Sequence, residues 1–317
     1  MATSFSPTNS VTVTTAEKFI PEIWSDEIVA AYKKNLVLAN LVMKMNFKGK
    51  KGDTIHIPAP TRGSASAKAA ETAVTLIAAT ESEVQVSINK HYEYSRLIED
   101  IVEAQALNSL RNFYTSDAGY ALAKQVDTDL VQLGRSTNGG GGTNAYATGA
   151  FIGGDGTTAY VAASNNESAL TDAAIRRTIQ RLDDTDTPMD QRFFLIPPSS
   201  RNTLMGLARY TEQAFVGGTN STIRTGEIGN LYGIPVFVSS NCDTASGSNN
   251  ARVCLMGHKD SMVLVEQMAI RSQVQYQQPY LATLYTADTL YGVQILRSAA
   301  STGAAKSASM FALLVPA

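Results

Sequence analysis

The stretch Arg96–Gly134, RLIEDIVEAQALNSLRNFYTSDAGYALAKQVDTDLVQLG, carries the strongest periodic pattern in the chain. Its apolar residues recur at steps of three and four, which is the spacing of one face of an α-helix, and Gly119 is the one helix breaker before its end. We therefore predict a helix from Arg96 to Gly134, roughly 58 Å long. An amphipathic helix of that length must lie along a sheet or another chain. The apolar positions are Leu97, Ile98, Ile101, Val102, Leu107, Leu110, Phe113, Tyr114, Ala118, Ala121, Leu122, Val126, Leu130 and Leu133.

The residues ahead of this helix predict a long β-hairpin. Apolar and polar residues alternate over Thr54–Ile57 and again over Val84–Ile88, as in two strands with one buried face. The tip between them, Pro58–Thr72, consists mainly of small residues and cannot pack against its own strands. Because a hairpin of this length is marginally stable alone in water, the sequence predicts a partner surface for it.

The N-terminal residues predict an extended arm followed by a short helix. Residues 1–20 lack the basic and apolar regions of a signal peptide, and their Ser, Thr and Val residues form no apolar face. A helical pattern begins at Pro21, a residue that suits the first turn of a helix, and places the single tryptophan, Trp24, on the apolar side as a packing anchor.

The C-terminal half predicts an α/β lobe. A glycine-rich connection over residues 136–166 leads to a helix with Thr171 as its N-cap, and helix and strand patterns then alternate. The strand segments are RFFLIPP, GIPVFVSS and RVCLMG, and the segment SSRNTLMGLARY predicts a short helix. The residues beyond about 266 are rich in strand patterns and return towards the first half.

Three glycines in RTGEIGNLYGIPVFVSSN, residues Arg224–Asn241, raise the question of a phosphate loop. Such loops follow a strand and open a helix, whereas Gly226, Gly229 and Gly233 precede a β-branched strand and no Gly-Lys-Ser/Thr follows them. We predict that these glycines supply turn conformations with positive φ.

Composition limits the function. The formal net charge of -2, from 26 basic and 28 acidic residues, argues against a dedicated nucleic-acid binder, although weak DNA contact stays open. No apolar run is long enough to span a membrane. The two cysteines, Cys242 and Cys254, are too few for a disulfide framework, and we expect reduced thiols in a cytosolic setting.

No catalytic or metal-binding motif stands out. His56, His91 and His258 lie far apart in sequence, and none belongs to a metal-binding pattern. An acidic cluster could bind a divalent cation, but it lacks the EF-hand glycine and terminal glutamate, so a solvated loop is the simpler interpretation. We expect no enzymatic activity, no metal and no cofactor, although catalytic residues could still meet in space. The acidic cluster comprises Asp183, Asp184, Asp186 and Asp190.

Basic residues along the predicted hairpin have two interpretations. Three lie at its base and two near its tip, and they are either solvated turn residues or partners in salt bridges between subunits. On the second interpretation they are inter-subunit contact candidates. They are Lys48, Lys50, Lys51, Arg62 and Lys68.

The order of these parts resembles the major capsid protein family of tailed double-stranded DNA phages, with the Hong Kong 97-type coat fold. Together the matching stretches cover nearly the whole chain. They are Phe19–Ser25, Ala121–Leu130 with Asp127, FFLIPPSSRNTLM, GEIGNLYGIPVFVSSN and LYGVQILRS.

The resemblance implies an α+β fold with six regions. These are an N-terminal arm and first helix (1–45), an E-loop hairpin (46–94) that lies on a neighbouring subunit, the spine helix of a peripheral domain (95–135), a glycine-rich connection (136–168), an α/β axial domain (169–265), and returning strands of both domains (266–317).

The implied function is structural. Copies of the chain would form hexamers and pentamers, the capsomers of an icosahedral shell around phage double-stranded DNA. The implied partners are other copies of the chain, a portal protein at one vertex and a separate scaffolding protein, because no large assembly-guiding segment precedes Arg96; a decoration protein is left open. Contact with packaged DNA would be weak and non-specific. The expected location is the virion capsid, after assembly in the host cytoplasm.

Two alternatives remain open. An encapsulin-like cellular nanocompartment would share the fold, hold protein cargo and contain no DNA. An α/β enzyme with a flexible insert would need a pocket with convergent titratable side chains, and the scattered histidines argue against one.

Overall fold

A computed structural model describes residues 37–49, 51–60, 63, 65–76, 81–100, 109–135, 151–161, 164, 166–207, 229–242, 251–297 and 309–317. The predicted arm, the helix beginning at Pro21 with Trp24, and residues 136–150 of the glycine-rich connection lie outside this part of the chain.

Both halves of the described chain contain helices and strands. The first half contains α1 (Leu38–Leu41), β1 (Met43–Asn46), β2 (Thr54–Pro60), β3 (Glu81–Ser87), β4 (Lys90–Glu99), α2 (Ser109–Arg135) and β5 (Phe151–Ile152). The second half contains α3 (Asp172–Asp184), β6 (Arg192–Ile196), α4 (Pro198–Met205), β7 (Asn230–Leu231), β8 (Ile234–Val238), β9 (Ala251–His258), β10 (Met262–Gln277), β11 (Ala282–Ile295) and β12 (Met310–Pro316).

A four-stranded sheet, which we call the peripheral sheet, has the order β1-β10-β11-β4. Its centre is the long antiparallel pair β10 and β11, joined through a short 3-10 turn at Gln278–Tyr280. Strand β4 pairs antiparallel with β11 along its whole length, and β1 runs parallel to β10 at the opposite edge. The predicted boundary between axial domain and returning strands, at residue 265, falls inside β10.

The predicted start of the long helix at Arg96 is wrong. Residues Lys90–Glu99 form β4, and the described helix α2 covers Ser109–Arg135, 27 residues or about 40 Å. Burial along β4 alternates, and a continuous ladder with β11 satisfies its backbone. Leu97 and Ile98 fitted the helical period by chance, because a short apolar run is compatible with the spacing of a helix and with that of a strand. The described part of the helix extends to Arg135, one residue beyond Gly134.

Helix α2 lies along the peripheral sheet, which confirms the need for a packing surface. Its Ala118 and Leu122 pack against Ala287 of β11, with Tyr92 and Tyr94 of β4 around them. Further along the helix, Leu130 and Val131 enter the largest core of the described chain. That core also contains Leu255 of β9, Met262 and Leu264 of β10, Tyr291 of β11 and Leu314 of β12, so both sheets share it.

A six-stranded mixed sheet forms the predicted α/β lobe, and we call it the axial sheet. Its order is β5-β12-β9-β6-β8-β7, and helices α3 and α4 contribute Ile175, Leu182 and Leu204 to the second core on it. The Thr171 side chain caps α3 by accepting a hydrogen bond from the Ala174 amide at 3.3 Å, as predicted. The late segment Met310–Pro316 enters the interior of this sheet, between β5 and β9.

Gly233 lies in the turn that leads into β8. Tyr232 and Gly233 link β7 to β8 with φ of 51° and 82°, the two positive values of a tight two-residue hairpin turn. The prediction is confirmed for Gly233 and is wrong for Gly229, which precedes β7 and does not have a positive φ, while Gly226 lies outside the described residues.

Two glycine substitutions should change stability in opposite directions. A Cβ at Gly292 would lie 2.5 Å from the Ser87 carbonyl oxygen, so Gly292→Ala should destabilise the subunit by about 1–3 kcal/mol as β3 is pushed away from β11. A Cβ at Gly119 in α2 meets no atom within 4 Å, so Gly119→Ala should stabilise it by up to about 1 kcal/mol. Urea unfolding of unassembled subunits measures both changes, and equal midpoints for the two variants would contradict the packing described.

Candidate inter-subunit surface

The hairpin of β2 and β3 is anchored at its base. Its strands pair from Thr54 opposite Ser87 to Pro60 opposite Glu81, close to the predicted limits. Val86 is fully buried against Val263 and Val265 of β10, so the base rests on the peripheral sheet of its own chain.

The tip of the hairpin has no such support. Every described residue from 63 to 76 is exposed, and we call this segment the hairpin tip. It includes two large apolar side chains, Val74 at 66% and Leu76 at 88% exposure. Isolated exposed apolar residues are common, but two of them on an unsupported projection form a candidate contact surface.

A second exposed apolar surface lies at the far end of the peripheral sheet, where β10 turns into β11. We define the sheet end as Val274, Tyr276, Tyr280 and Leu281, all of them exposed. The Tyr276 hydroxyl donates to the Asp100 Oδ2 at 2.7 Å, which orients one side of this surface and raises the pKa of Tyr276.

Leu281 differs from the rest of the sheet end because its backbone is left-handed, with φ of 44°. A bulky residue in this conformation is strained, and such strain persists only where the surrounding structure imposes it. Its side chain is 66% exposed. This surface was not predicted from the sequence, although the turn QQPYL between two strand patterns was a usable signal.

The basic candidates are dispersed along the hairpin. Lys48 lies 3.9 Å from Glu266 of its own chain, a long and half-exposed ion pair. Lys51 is exposed at the hairpin base and Lys68 at its tip, while Lys50 and Arg62 lie outside the described residues. The structure therefore gathers no basic cluster from the described candidates, and their role between subunits stays a prediction.

The three histidines have separate partners. His56 Nδ1 lies 2.9 Å from Glu83, His91 Nε2 lies 3.1 Å from Asp288, and His258 Nδ1 accepts the Asp260 amide at 3.1 Å. In the described ranges no group of His, Cys, Asp and Glu side chains could hold a metal ion. None of the helices there has the length and apolar character that a bilayer crossing requires.

The cysteines are buried and free. Burial raises the pKa of Cys254 to about 12 and raises that of Cys242 as well, so neither thiol forms a thiolate readily. Both side chains belong to the cores, which is the structural role of an inert buried cysteine.

The acidic cluster spans the end of α3 and the loop that follows, which a buried arginine holds. Arg192 donates to the carbonyl oxygens of Pro188 and Thr187 at 2.8 and 2.6 Å and pairs with Asp183 at 2.8 Å. This arrangement agrees with a structured loop after α3 and uses one of the four carboxylates as a loop brace.

An ionic group spans the face of the peripheral sheet across three strands. Asp288 of β11 accepts two hydrogen bonds from the Arg271 guanidinium of β10, at 2.7 and 3.0 Å, and contacts His91 of β4. The hydrogen bonds of Arg271, and then those of His91, hold the pKa of Asp288 below its ordinary value. The group therefore fastens three neighbouring strands near the middle of the sheet.

Comparison with known protein families identifies the family of the chain. The model of the phage capsid family matches residues 17–301, which is most of the chain. The chain belongs to this family. It is a structural protein of a phage capsid, and its place is in the capsid of the virion. The resemblance noted from the sequence is thus confirmed.

Solved capsid structures agree with this membership at the level of the fold. A Mycobacterium phage Che8 chain is 21% identical, with 93% of this chain and 97% of that chain covered and a TM-score of 0.73. A chain of the cyanophage P-SCSP1u capsid is 20% identical, with 98% and 99% covered and a TM-score of 0.73. A Gordonia phage Cozz chain is 14% identical, with 100% and 98% covered and a TM-score of 0.67. A sequence search of curated proteins found no match.

The ionic group of this capsid subunit should make its stability depend on acidity. Because the pKa of folded Asp288 is lowered, the group stabilises the fold above the unfolded pKa of about 3.9, and this contribution is lost as pH falls through the folded pKa. Asp288→Asn should therefore be less stable than the parent subunit at pH 7, by an amount that shrinks at pH 3.

Urea unfolding midpoints of unassembled subunits at both pH values test this. Asp184→Asn removes the same charge at a residue that has no ion pair in the described part of the chain, and it should show no such gap. If the unfolding midpoints of the parent and Asp288→Asn differed by the same amount at pH 7 and pH 3, the stabilising role of ionised Asp288 would be contradicted.

Proposed function

We propose that copies of this capsid subunit assemble into hexamers and pentamers through the hairpin, whose tip lies on the sheet end of a neighbouring copy. These capsomers would form an icosahedral shell around phage double-stranded DNA. The observation that carries the proposal is the hairpin tip, which projects from an anchored base and exposes Val74 and Leu76. The tip contributes little to its own subunit, so its apolar residues need a surface on another chain.

The sheet end suits this role for physical reasons. It is apolar like the tip, and it lies on a different part of the chain, so the contact joins two unlike surfaces. A contact between unlike surfaces repeats from copy to copy and closes into a ring when the rotation allows.

The near-neutral charge of the chain fits a wall around packaged DNA. A densely basic wall would bind DNA through many phosphate contacts and hinder its movement, whereas a net charge of -2 leaves only weak, non-specific contact. Tight DNA binding by purified subunits, with a steep dependence on salt, would contradict this part of the proposal.

The remaining partners follow from the family. A portal protein would occupy one vertex, a separate scaffolding protein would guide assembly in the host cytoplasm, and a decoration protein is compatible with the fold. No catalytic activity and no cofactor are part of the proposed role. A nanocompartment would share the fold but hold protein cargo, so nucleic acid inside purified shells distinguishes a virus capsid from it.

Shortening the hairpin, which removes the tip up to Glu71 and draws Val74 and Leu76 back towards the base, tests whether the hairpin must reach a neighbouring copy. Replacing Pro60–Glu71 by a short turn should leave the subunit folded, because the described residues from 63 to 71 are exposed, but it should abolish shells. Electron microscopy and light scattering, in the presence of the scaffolding protein where the parent chain needs it, measure assembly. Circular dichroism checks the fold, and closed shells of normal size from the shortened chain would show that the reach of the hairpin is dispensable.

Point substitutions separate the two surfaces from general surface effects. Leu76→Asp on the tip and Leu281→Asp on the sheet end should each reduce the yield of shells at least about tenfold, because both bury a charge at the same contact. The matched control is Met189→Asp, which alters a side chain that is 77% exposed but lies on neither surface. Normal assembly of either interface variant, or equal loss in the control, would count against the pairing of tip and sheet end.

A further inference from the structure

A buried carboxylate stands where three parts of the chain meet. Asp127 of α2 is 1% exposed, and its Oδ1 accepts hydrogen bonds from the backbone amides of Leu38 at 2.9 Å and Ala39 at 3.3 Å. Its Oδ2 accepts a hydrogen bond from Asn241 Nδ2 at 3.1 Å. These donors lie 88 to 114 positions away in the sequence, so the carboxylate connects segments that only the fold brings together.

The donors belong to two separate parts of the subunit. Leu38 and Ala39 begin α1, the first described element after residues 1–36. Asn241 follows β8 of the axial sheet, and its Nδ2 also donates to Thr128 Oγ1 at 3.2 Å. Asp127 therefore joins the start of α1 to the axial sheet through the side of α2.

Burial of the Asp127 carboxylate costs desolvation free energy. No Lys, Arg or His side chain in the described ranges forms an ion pair with Asp127, and burial raises its pKa despite the three hydrogen bonds. An apolar residue of similar size would avoid the desolvation of a carboxylate. The carboxylate instead fixes the relative positions of two segments, because Oδ1 accepts hydrogen bonds from α1 and Oδ2 accepts one from Asn241.

We propose that Asp127 is a positioning residue that couples α1 to the axial sheet. The hydrogen bond from Asn241 fixes Oδ2 and thereby the rotation of the carboxylate, which aims Oδ1 at the two amides of α1. A change at Asn241 then reaches Leu38 and Ala39 without any direct contact between them.

Coupling of this kind is reciprocal. A contact that a neighbouring copy makes near Asn241 would alter how α1 is held, and a pull on the chain before α1 would alter the axial sheet. Coupling through Asp127 does not depend on the hairpin contact, and either can fail alone.

Hydrogen exchange on the full chain, read at single residues by mass spectrometry with electron-transfer fragmentation, tests the coupling. Asn241→Ala should speed exchange at the Leu38 and Ala39 amides about tenfold, the effect of weakening one buried hydrogen bond, while amides of β9 keep their protection. Asp127→Asn should retain most of the protection, because its side-chain oxygen can still accept from the α1 amides while its amide donates to Asn241 once that side chain turns over.

The matched control is Asp129→Asn, two positions along the same helix. Asp129 is also buried, but its partners are Lys90, Tyr291 and Gln125, so this variant should leave the α1 amides unchanged. Unchanged exchange at Leu38 and Ala39 in Asn241→Ala would overturn the proposal. So would an equal acceleration at α1 and β9, which indicates general destabilisation rather than coupling.

Discussion

The packing of α2 against both sheets is the constraint on which the rest of the subunit depends. Leu130 and Val131 occupy a core to which the peripheral and axial sheets both contribute, through Met262 and Tyr291 on one side and Leu255 and Leu314 on the other. Neither sheet closes this core without the helix. The hairpin and the sheet end project from this body, which explains how long exposed elements can be held in defined places.

Local patterns in the sequence were sufficient for much of this fold. The hairpin strands, the helix cap at Thr171 and the turn at Gly233 each depend on residues close together in the chain, and each was predicted. The start of the long helix was wrong, because the ladder between β4 and β11 joins residues nearly two hundred positions apart and overrides a helical period at Leu97 and Ile98. Of the region boundaries drawn from the resemblance, the one after residue 94 falls inside β4 and the one after residue 265 falls inside β10; the others remain predictions.

The candidate surfaces were harder to predict, and for a physical reason. Exposure of Tyr280 or Leu281 depends on where a tertiary fold ends, which no local spacing encodes. The contacts of Asp127 are equally non-local, since its partners come from α1 and from the segment after β8. The basic residues of the hairpin were visible in the sequence, but sequence could not tell which of them, such as Lys48, would find a partner in their own chain.

The position of β12 has a consequence for synthesis. This strand is the last of the described strands to be translated, yet it fills the interior of the axial sheet, where Leu313 and Leu314 pair with Cys254 and Val253 of β9. A chain that stops before Met310 leaves β9 with an open edge and lacks the side chains that complete both large cores. A chain cut before Met310 therefore cannot complete either core, which makes this late strand a requirement for a folded subunit.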